Sequence, residues 1–294
     1  MMKTALIVDS TAYLNEDIAN HPDVYTIPLS LVFENGTYYQ DTSDRSIQLK
    51  FYEDLERSTT LPKSSQPQPG KYYELMDTLV SKDYQAVIAI HLSSGISGAY
   101  SLGQSIMQEY QDRLECYCVD SKSSCIVMEV LTRLAIESLE SGLSPQTVAK
   151  QLIWQSQRGQ TYLMVESLDN LVKGGRLNAA GALVGQLLKI RPILYFDEAG
   201  KILLFEKVRT NKKVFLRWIE LAQAAWEKYP EGVIFMLTHA ENEEACDKMK
   251  DMLLQAFPDS DVYINCLGPV ITTHTGKGSL GFGILPKIQN EHCK

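Results

Sequence analysis

The apolar run Ala86–Ile90, followed at once by a turn rich in serine and glycine, constrains the fold of this chain more than any other segment. Five consecutive apolar residues predict a strand that is buried on both faces, as in a parallel sheet. The turn is Ser93–Gly98, and the residues from Ala99 to about Tyr110 have a helical pattern. This order of strand, small-residue turn and helix is typical of the repeating unit of an α/β fold.

The same order recurs along the first half of the chain. A predicted strand over Thr4–Val8 leads to Asp9–Thr11, and a predicted strand over Glu115–Val119 leads to Asp120 and Ser121. Ligands of parallel sheets bind beyond the carboxyl ends of the strands, where these hydroxyl-bearing turns would lie. We therefore predict an N-terminal three-layer α/β domain with a parallel sheet, over residues 1–160. The less regular second half, residues 161–294, is predicted to form a second α/β domain.

The turn after Ala86–Ile90 also predicts an anion site. The first N–H groups of a helix have no intrahelical partner, and the helix dipole favours negative charge there. Ser93 and Ser94 can add hydroxyl donors. A carboxylate or a phosphate is the expected ligand.

Hydrophobic periodicity and turn residues predict the other elements. They comprise strands over Val24–Phe33, Tyr162–Val165, Val233–Leu237 and Val262–Cys266, helices over Leu14–Ala19, Ile47–Leu55, Lys71–Val80, Cys125–Leu139, Gln146–Gln157, Ala179–Leu188, Val214–Tyr229 and Glu243–Phe257, hairpins at Asn35–Gly36 and Glu198–Gly200, an irregular segment over Leu61–Gly70, and a glycine-rich loop over Gly268–Gly281.

The composition excludes several functional classes. The 294 residues include 28 Lys and Arg against 36 Asp and Glu, a net charge of -8, which argues against a nucleic-acid partner. No apolar run approaches the ~20 residues that span a bilayer. The six cysteines have no zinc spacing, and the chain enters its first predicted strand without a signal peptide. We expect a cytoplasmic protein that holds no metal.

Two polar motifs remain open to more than one interpretation, and a third does not match the phosphate loop that it suggests. His274 lies between two threonines in the glycine-rich loop, where an imidazole could donate a hydrogen bond to a carboxylate or carry charge. Lys173–Arg176 is either a solvated turn or a site that recognises an anion or an acidic partner. Gly276–Ser279 is not a Walker A motif, because Ile271 occupies the place of the required glycine.

A hydrolase is the enzymatic alternative. Ser94, His274 and Asp9 could supply a nucleophile, a base and an acid, but no G-x-S-x-G elbow surrounds any serine. A hydrolase or phosphotransferase that acts on a small carboxylic acid stays as the second hypothesis.

Seven segments taken together resemble the DegV family, which comprises fatty-acid-binding proteins of mainly Gram-positive bacteria. They are Val8–Ala12, Ser64–Pro67, Ser93–Tyr100, Val119–Ser121, Lys173–Arg176, Leu188–Leu194 and Gly268–Gly276. The resemblance spans nearly the whole chain, with the motifs in the family's order.

The resemblance implies a long-chain fatty acid buried between the two α/β domains. It implies that the carboxylate is bound by the hydroxyls of Ser64 or Ser65 and of Ser93 or Ser94, next to His274 and Thr275. Arg209 looks like the family's arginine near the head group, and Lys173 and Arg176 would lie near the head group or the partner.

The resemblance further implies a carrier without catalytic activity or cofactor. Family members are the acyl-carrying subunit of fatty acid kinase, whose separate ATP-binding subunit phosphorylates the bound carboxylate. The acyl phosphate then enters phospholipid synthesis.

Overall fold

The computed structural model describes residues 2–177 and 190–288, which form three sheets with helices packed against them. The strands are β1 (Thr4–Asp9), β2 (Val24–Ile27), β3 (Ser30–Val32), β4 (Tyr38–Gln40), β5 (Lys63–Ser65), β6 (Ala86–His91), β7 (Glu115–Asp120), β8 (Gln160–Met164), β9 (Arg191–Phe196), β10 (Ile202–Val208), β11 (Val233–His239), β12 (Asp261–Cys266) and β13 (Leu280–Pro286).

Helices connect most of these strands. They are α1 (Glu16–Ala19), α2 (Arg45–Arg57), α3 (Pro69–Ser81), α4 (Ala99–Gln108), α5 (Ile126–Glu140), α6 (Pro145–Arg158), α7 (Asp169–Lys173), α8 (Asn211–Lys228), α9 (Glu243–Ala256) and α10 (Pro269–Thr275), with a short 3-10 turn at Ser10–Ala12. None of the helices in the described ranges combines the length and the hydrophobicity that crossing a membrane requires.

The first sheet is parallel, as the sequence predicts. Its strand order is β2-β1-β6-β7, and every neighbouring pair runs in the same direction. The central strands β1 and β6 are buried along their whole length, because helices cover both faces. Their carboxyl ends carry Asp9 and His91 to the same edge of the sheet.

The second sheet is mixed and has the order β10-β9-β8-β13-β11-β12. Only β11 and β12 among these strands pair in parallel, and the other pairs are antiparallel. Its strands begin at Gln160, so the two large sheets come from separate halves of the chain. The predicted boundary at residue 160 stays a prediction.

Helix α5 packs between the two large sheets. One continuous core joins Leu6 and Ile88 of the first sheet to Met236 and Leu285 of the second through side chains of α5 such as Leu131. Burial of apolar surface therefore holds the two halves together as well as each half by itself.

The prediction of one strand over Val24–Phe33 is wrong. Pro28 lacks an N–H group and interrupts the run, so β2 joins the parallel sheet and β3 joins a small antiparallel sheet with β4 and β5. The segment Leu61–Gly70 is also more regular than predicted. Lys63–Ser65 lies between prolines and pairs with β3 as an edge strand.

The prediction of a glycine-rich loop over Gly268–Gly281 is also wrong. Pro269 begins the helix α10, for which its fixed φ is suited, and Gly276 with φ 78° ends it. The strand β13 follows, which the sequence pattern does not indicate. The helix predicted over Ala179–Leu188 lies outside the described residues.

Candidate functional site

A largely apolar cavity lies where the two halves of the chain meet. The space between its lining residues, including its mouth, is about 870 Å³. The apolar lining includes Leu29, Leu92, Ile96, Ile126, Val127, Tyr162, Leu163, Leu171, Phe196, Ile202, Leu267, Val270, Ile271, Leu280 and Phe282. These side chains come from both halves, so neither half forms the cavity alone.

Polar side chains also line the cavity. We call five of them the head-group cluster, namely Ser64, Ser65, Arg176, His274 and Thr275; further polar lining residues are Gln66, Ser97, Ser124, Thr161, Thr238 and Ser279. Ser64 and Ser65 end the edge strand β5, whereas His274 and Thr275 end the helix α10. Among the described lining residues, Arg176 alone carries a permanent charge.

His274 is the centre of this cluster. Its Nε2 atom lies 2.9 Å from the Ser64 hydroxyl oxygen, and its Nδ1 atom is buried without a hydrogen-bond partner in the described part of the chain. Burial, and then the nearby positive charge of Arg176, lower the pKa of His274 to about 4. The imidazole is therefore neutral near pH 7, which favours the hydrogen-bonding interpretation over a charged histidine.

Arg176 reaches the cluster from the turn after α7. Its guanidinium donates to the Gly174 carbonyl at 2.6 Å and to the Ile96 carbonyl at 3.2 Å. Burial lowers the pKa of Arg176, but an arginine stays protonated in proteins. Two backbone carbonyls thus hold a cation at the edge of an apolar space. Lys173 lies nearby in sequence, but it is exposed and does not line the cavity.

Gly174 packs directly against the imidazole. A Cβ atom at this position would lie 2.3 Å from His274 Nδ1 and 2.8 Å from Cε1. The backbone of the Lys173–Arg176 turn therefore covers one edge of the ring while the Ser64 hydroxyl meets another. The sequence indicates both motifs but not this contact, because no local sequence pattern relates residues that are a hundred positions apart.

The structure places Ser93 and Ser94 outside the cavity lining. The Ser93 hydroxyl is fully buried and donates to the Gly200 carbonyl at 2.7 Å, so it joins the serine turn to the β9-β10 hairpin. Ser94 donates to the Asp120 carboxylate at 2.5 Å. Ser97, four residues after Ser93, does line the cavity. A ligand-binding role for Ser93 and Ser94 stays a prediction.

Two other predicted positions lie apart from the head-group cluster. Arg209 is exposed, and it is absent from the described lining residues. Asp9, the acid of the hypothetical hydrolase, accepts a hydrogen bond from the Leu92 N–H group and lies 3.2 Å from His91 Nδ1. The set of Ser94, His274 and Asp9 is therefore not assembled, because each side chain is engaged with another partner.

Comparison with known proteins gives full-length matches. A family described as "Uncharacterised protein, DegV family" matches residues 3–287. The chain is 37% identical to the protein DegV of Bacillus subtilis over 287 residues, an alignment that covers 95% of this chain and 98% of that protein.

Solved structures match over the same extent. A fatty acid binding DegV family protein from Streptococcus agalactiae superposes with a TM-score of 0.88 at 32% identity, covering 98% of this chain and 100% of that chain. DegV, a fatty acid binding protein from Bacillus subtilis, superposes with a TM-score of 0.85 at 35% identity, again over 98% and 100% of the two chains. The two-domain α/β architecture agrees with these structures.

Replacement of Gly174 by alanine tests the packing on the imidazole. The φ of Gly174 is −75°, which alanine adopts without strain, so any effect arises from the new methyl group. We expect His274 to move away from Ser64 and the free energy of unfolding to fall by about 1–3 kcal/mol, the usual cost of overpacking. Urea denaturation and the NMR signals of the His274 ring measure both effects.

Gly70→Ala is the matched control for this substitution. Gly70 lies in α3, and a Cβ atom there would have nothing within 4 Å. Alanine is the better helix former, so stability should stay the same or rise slightly. Equal behaviour of the two variants, with the ring signals of His274 unchanged, would contradict the packing argument.

A pH titration tests the neutral state of His274. We expect an NMR midpoint close to 4 instead of 6.5, and a higher midpoint in Arg176→Gln, where the repelling charge is gone. The unfolded chain then binds the proton more readily than the folded chain. Compared with His274→Gln, the protein should thus lose stability as the pH falls from about 6.5 to about 4. A midpoint at or above 6.5 would show that the ring is solvated.

Proposed function

The chain belongs to the DegV family, and on this basis we propose that it binds a long-chain fatty acid in the cavity between its two halves. The observation that carries the proposal is a largely apolar lining with a single cation among its described residues, Arg176, which lies near the hydrogen-bonded pair Ser64 and His274. An amphipathic ligand with one acidic end and a long hydrocarbon chain matches both parts. The solved relatives from Streptococcus agalactiae and Bacillus subtilis are described as fatty acid binding proteins.

The hydrocarbon chain would supply most of the affinity. Each methylene group transferred from water into an apolar site contributes about 0.8 kcal/mol. Leu163, Leu171 and Phe282 are buried side chains of this lining, and none of them offers a polar atom to the chain. The cavity therefore favours long saturated or unsaturated chains over short acids.

The head-group cluster would replace the water molecules that hydrate the carboxylate before it enters the cavity. A buried carboxylate is unfavourable unless it is paired and hydrogen-bonded. Arg176 supplies the opposite charge, and the Ser65 hydroxyl supplies a donor, whereas the Thr275 hydroxyl already donates to the Ile271 carbonyl at 3.1 Å. Ser64 and the neutral imidazole of His274 share one hydrogen bond, so this pair offers the ligand one further donor, either the Ser64 hydroxyl or the His274 Nδ1–H group, without adding a second cation.

We further propose that the protein is a carrier that presents this carboxylate to a separate ATP-binding kinase subunit. In that reaction a carboxylate oxygen attacks the γ-phosphorus of ATP, the bond to the bridging oxygen of ADP breaks, and an acyl phosphate forms. Ser65 is exposed while it also lines the cavity, and Lys173 is exposed beside the turn that holds Arg176. A partner could therefore approach the carboxylate at this mouth. The proposed carrier has no chemistry of its own.

Organic extraction of the purified protein, followed by mass spectrometry, tests the ligand class. We expect close to one fatty acid per chain. Delipidated protein should then bind a series of saturated acids with a dissociation constant that falls about fourfold for each added methylene group, until the cavity is full. A dissociation constant that does not depend on chain length, with no extracted lipid, would favour an enzyme for small acids.

Three substitutions test the head-group assignment. Ser64→Ala and His274→Gln should each weaken fatty acid binding about tenfold or more, because a hydrogen bond to a charged group contributes about 1.5–3 kcal/mol. Ser101→Ala is the control, since Ser101 is exposed in α4 and is not among the residues that line the cavity. Calorimetric titration gives the affinities, and phosphorylation by a fatty acid kinase subunit with labelled ATP reports presentation. Equal losses in all three variants would refute the assignment.

A further inference from the structure

The short helix α10, which carries His274, is held at its first turn by side chains from the other half of the chain. The Val270 N–H group donates to the Asp41 carboxylate at 3.0 Å, and the Ile271 N–H group donates to the Tyr13 hydroxyl at 3.2 Å. The first N–H groups of a helix have no intrahelical acceptor, and a negative charge near them is favourable. Here both acceptors come from residues more than two hundred positions away.

Asp41 and Tyr13 belong to one buried network. The Tyr13 hydroxyl donates to one Asp41 oxygen at 3.2 Å, and the Ser10 hydroxyl donates to the other at 2.8 Å. Asp41 is 2% exposed and Tyr13 is 4% exposed. Burial raises the pKa of Asp41 to about 7, although its three donors oppose this effect. At pH 8 the Asp41 carboxylate is therefore largely ionised. Its hydrogen bonds are strong, because no water competes for them in the buried network.

Packing fixes the tyrosine ring in this network. Gly268 caps the N-terminus of α10, and a Cβ atom at this position would lie 2.0 Å from Tyr13 Cε1. The Tyr13 ring therefore packs directly against the backbone at the start of α10. Tyr13 itself has φ 49°, a left-handed conformation that is unfavourable for a large residue. Backbone strain of this kind persists only where surrounding contacts enforce it, and it is often found next to functional sites.

The helix is too short to absorb a displacement of its first turn. It spans seven residues, and His274 lies one turn after Val270. The imidazole of His274 must meet Ser64 at 2.9 Å on one edge and Gly174 on another. A shift of the first turn would therefore be transmitted to the ring.

We propose that Asp41, acting with Tyr13, is a positioning residue that aims the His274 imidazole at the carboxylate of the ligand. This inference rests on the proposed function. Asp41 is not among the described residues that line the cavity. It acts through the first turn of α10.

The test compares Asp41→Asn with Glu129→Gln at pH 8. Asparagine keeps the size of the side chain but replaces one acceptor with an amide donor, which opposes the donors of Ser10 or Val270. Glu129 is an equally buried carboxylate that accepts bonds from Asn15 at 2.7 Å and Asn265 at 3.0 Å, and it has no bond to α10. We expect fatty acid affinity to fall about tenfold in Asp41→Asn and to stay within twofold in Glu129→Gln.

A double-mutant cycle separates positioning from a general loss of stability. If Asp41 acts through His274, adding Asp41→Asn to His274→Gln should weaken binding no further than His274→Gln alone. Fully additive losses would overturn the inference. Tyr13→Phe keeps the ring against Gly268 and removes only the hydroxyl bonds, so it serves as the second variant if Asp41→Asn fails to fold.

NMR of the ligand-free protein keeps this inference distinct from the proposed function. The His274 ring signals should shift in Asp41→Asn and Tyr13→Phe and stay in place in Glu129→Gln. If the wild-type protein binds no fatty acid but the His274 ring signals still shift in Asp41→Asn and Tyr13→Phe, the proposed ligand is refuted. The positioning of His274 by Asp41 is then still supported. Fatty acid binding with unchanged ring signals and unchanged affinity in both variants would refute the positioning role alone.

Discussion

The hydrogen bond between Ser64 and His274 joins positions 210 residues apart, and the geometry of the site depends on it. Ser64 lies in a short edge strand of the N-terminal half, whereas His274 ends a helix of the C-terminal half. The bond forms only when the two halves pack together, and the same packing closes the apolar cavity. The site therefore exists only when the two halves are packed together.

Among its described residues, the candidate site carries one permanent positive charge, that of Arg176. The ring of His274 is uncharged near neutral pH because it is buried beside Arg176, so the cluster presents one cation instead of two. One cation matches one carboxylate, whereas a second buried cation would be unfavourable without a ligand. In the proposed complex, the remaining hydrogen bonds to the carboxylate come from uncharged groups.

Much of the fold was predictable because it depends on local signals. The buried runs at Ala86–Ile90 and Val233–Leu237 indicated strands, and the turn at Asn35–Gly36 indicated a hairpin; all three are present. Predictions failed where a single residue outweighs the surrounding pattern. Pro28 divides one apolar run between two sheets, and Pro269 starts a helix inside a segment that its glycines marked as a loop.

The candidate site was predictable only as a set of motifs. The sequence by itself determined the strand-turn-helix units, the parallel sheet and the polar residues available for an anion. Only the tertiary structure decided that Ser64 lies within hydrogen-bond distance of His274 near Arg176, and that Ser93 bonds a hairpin carbonyl instead of lining the cavity. Secondary structure follows from neighbours along the chain, whereas these contacts depend on packing between distant segments. That packing decides which hydroxyl lines the cavity and which bonds another group of the protein.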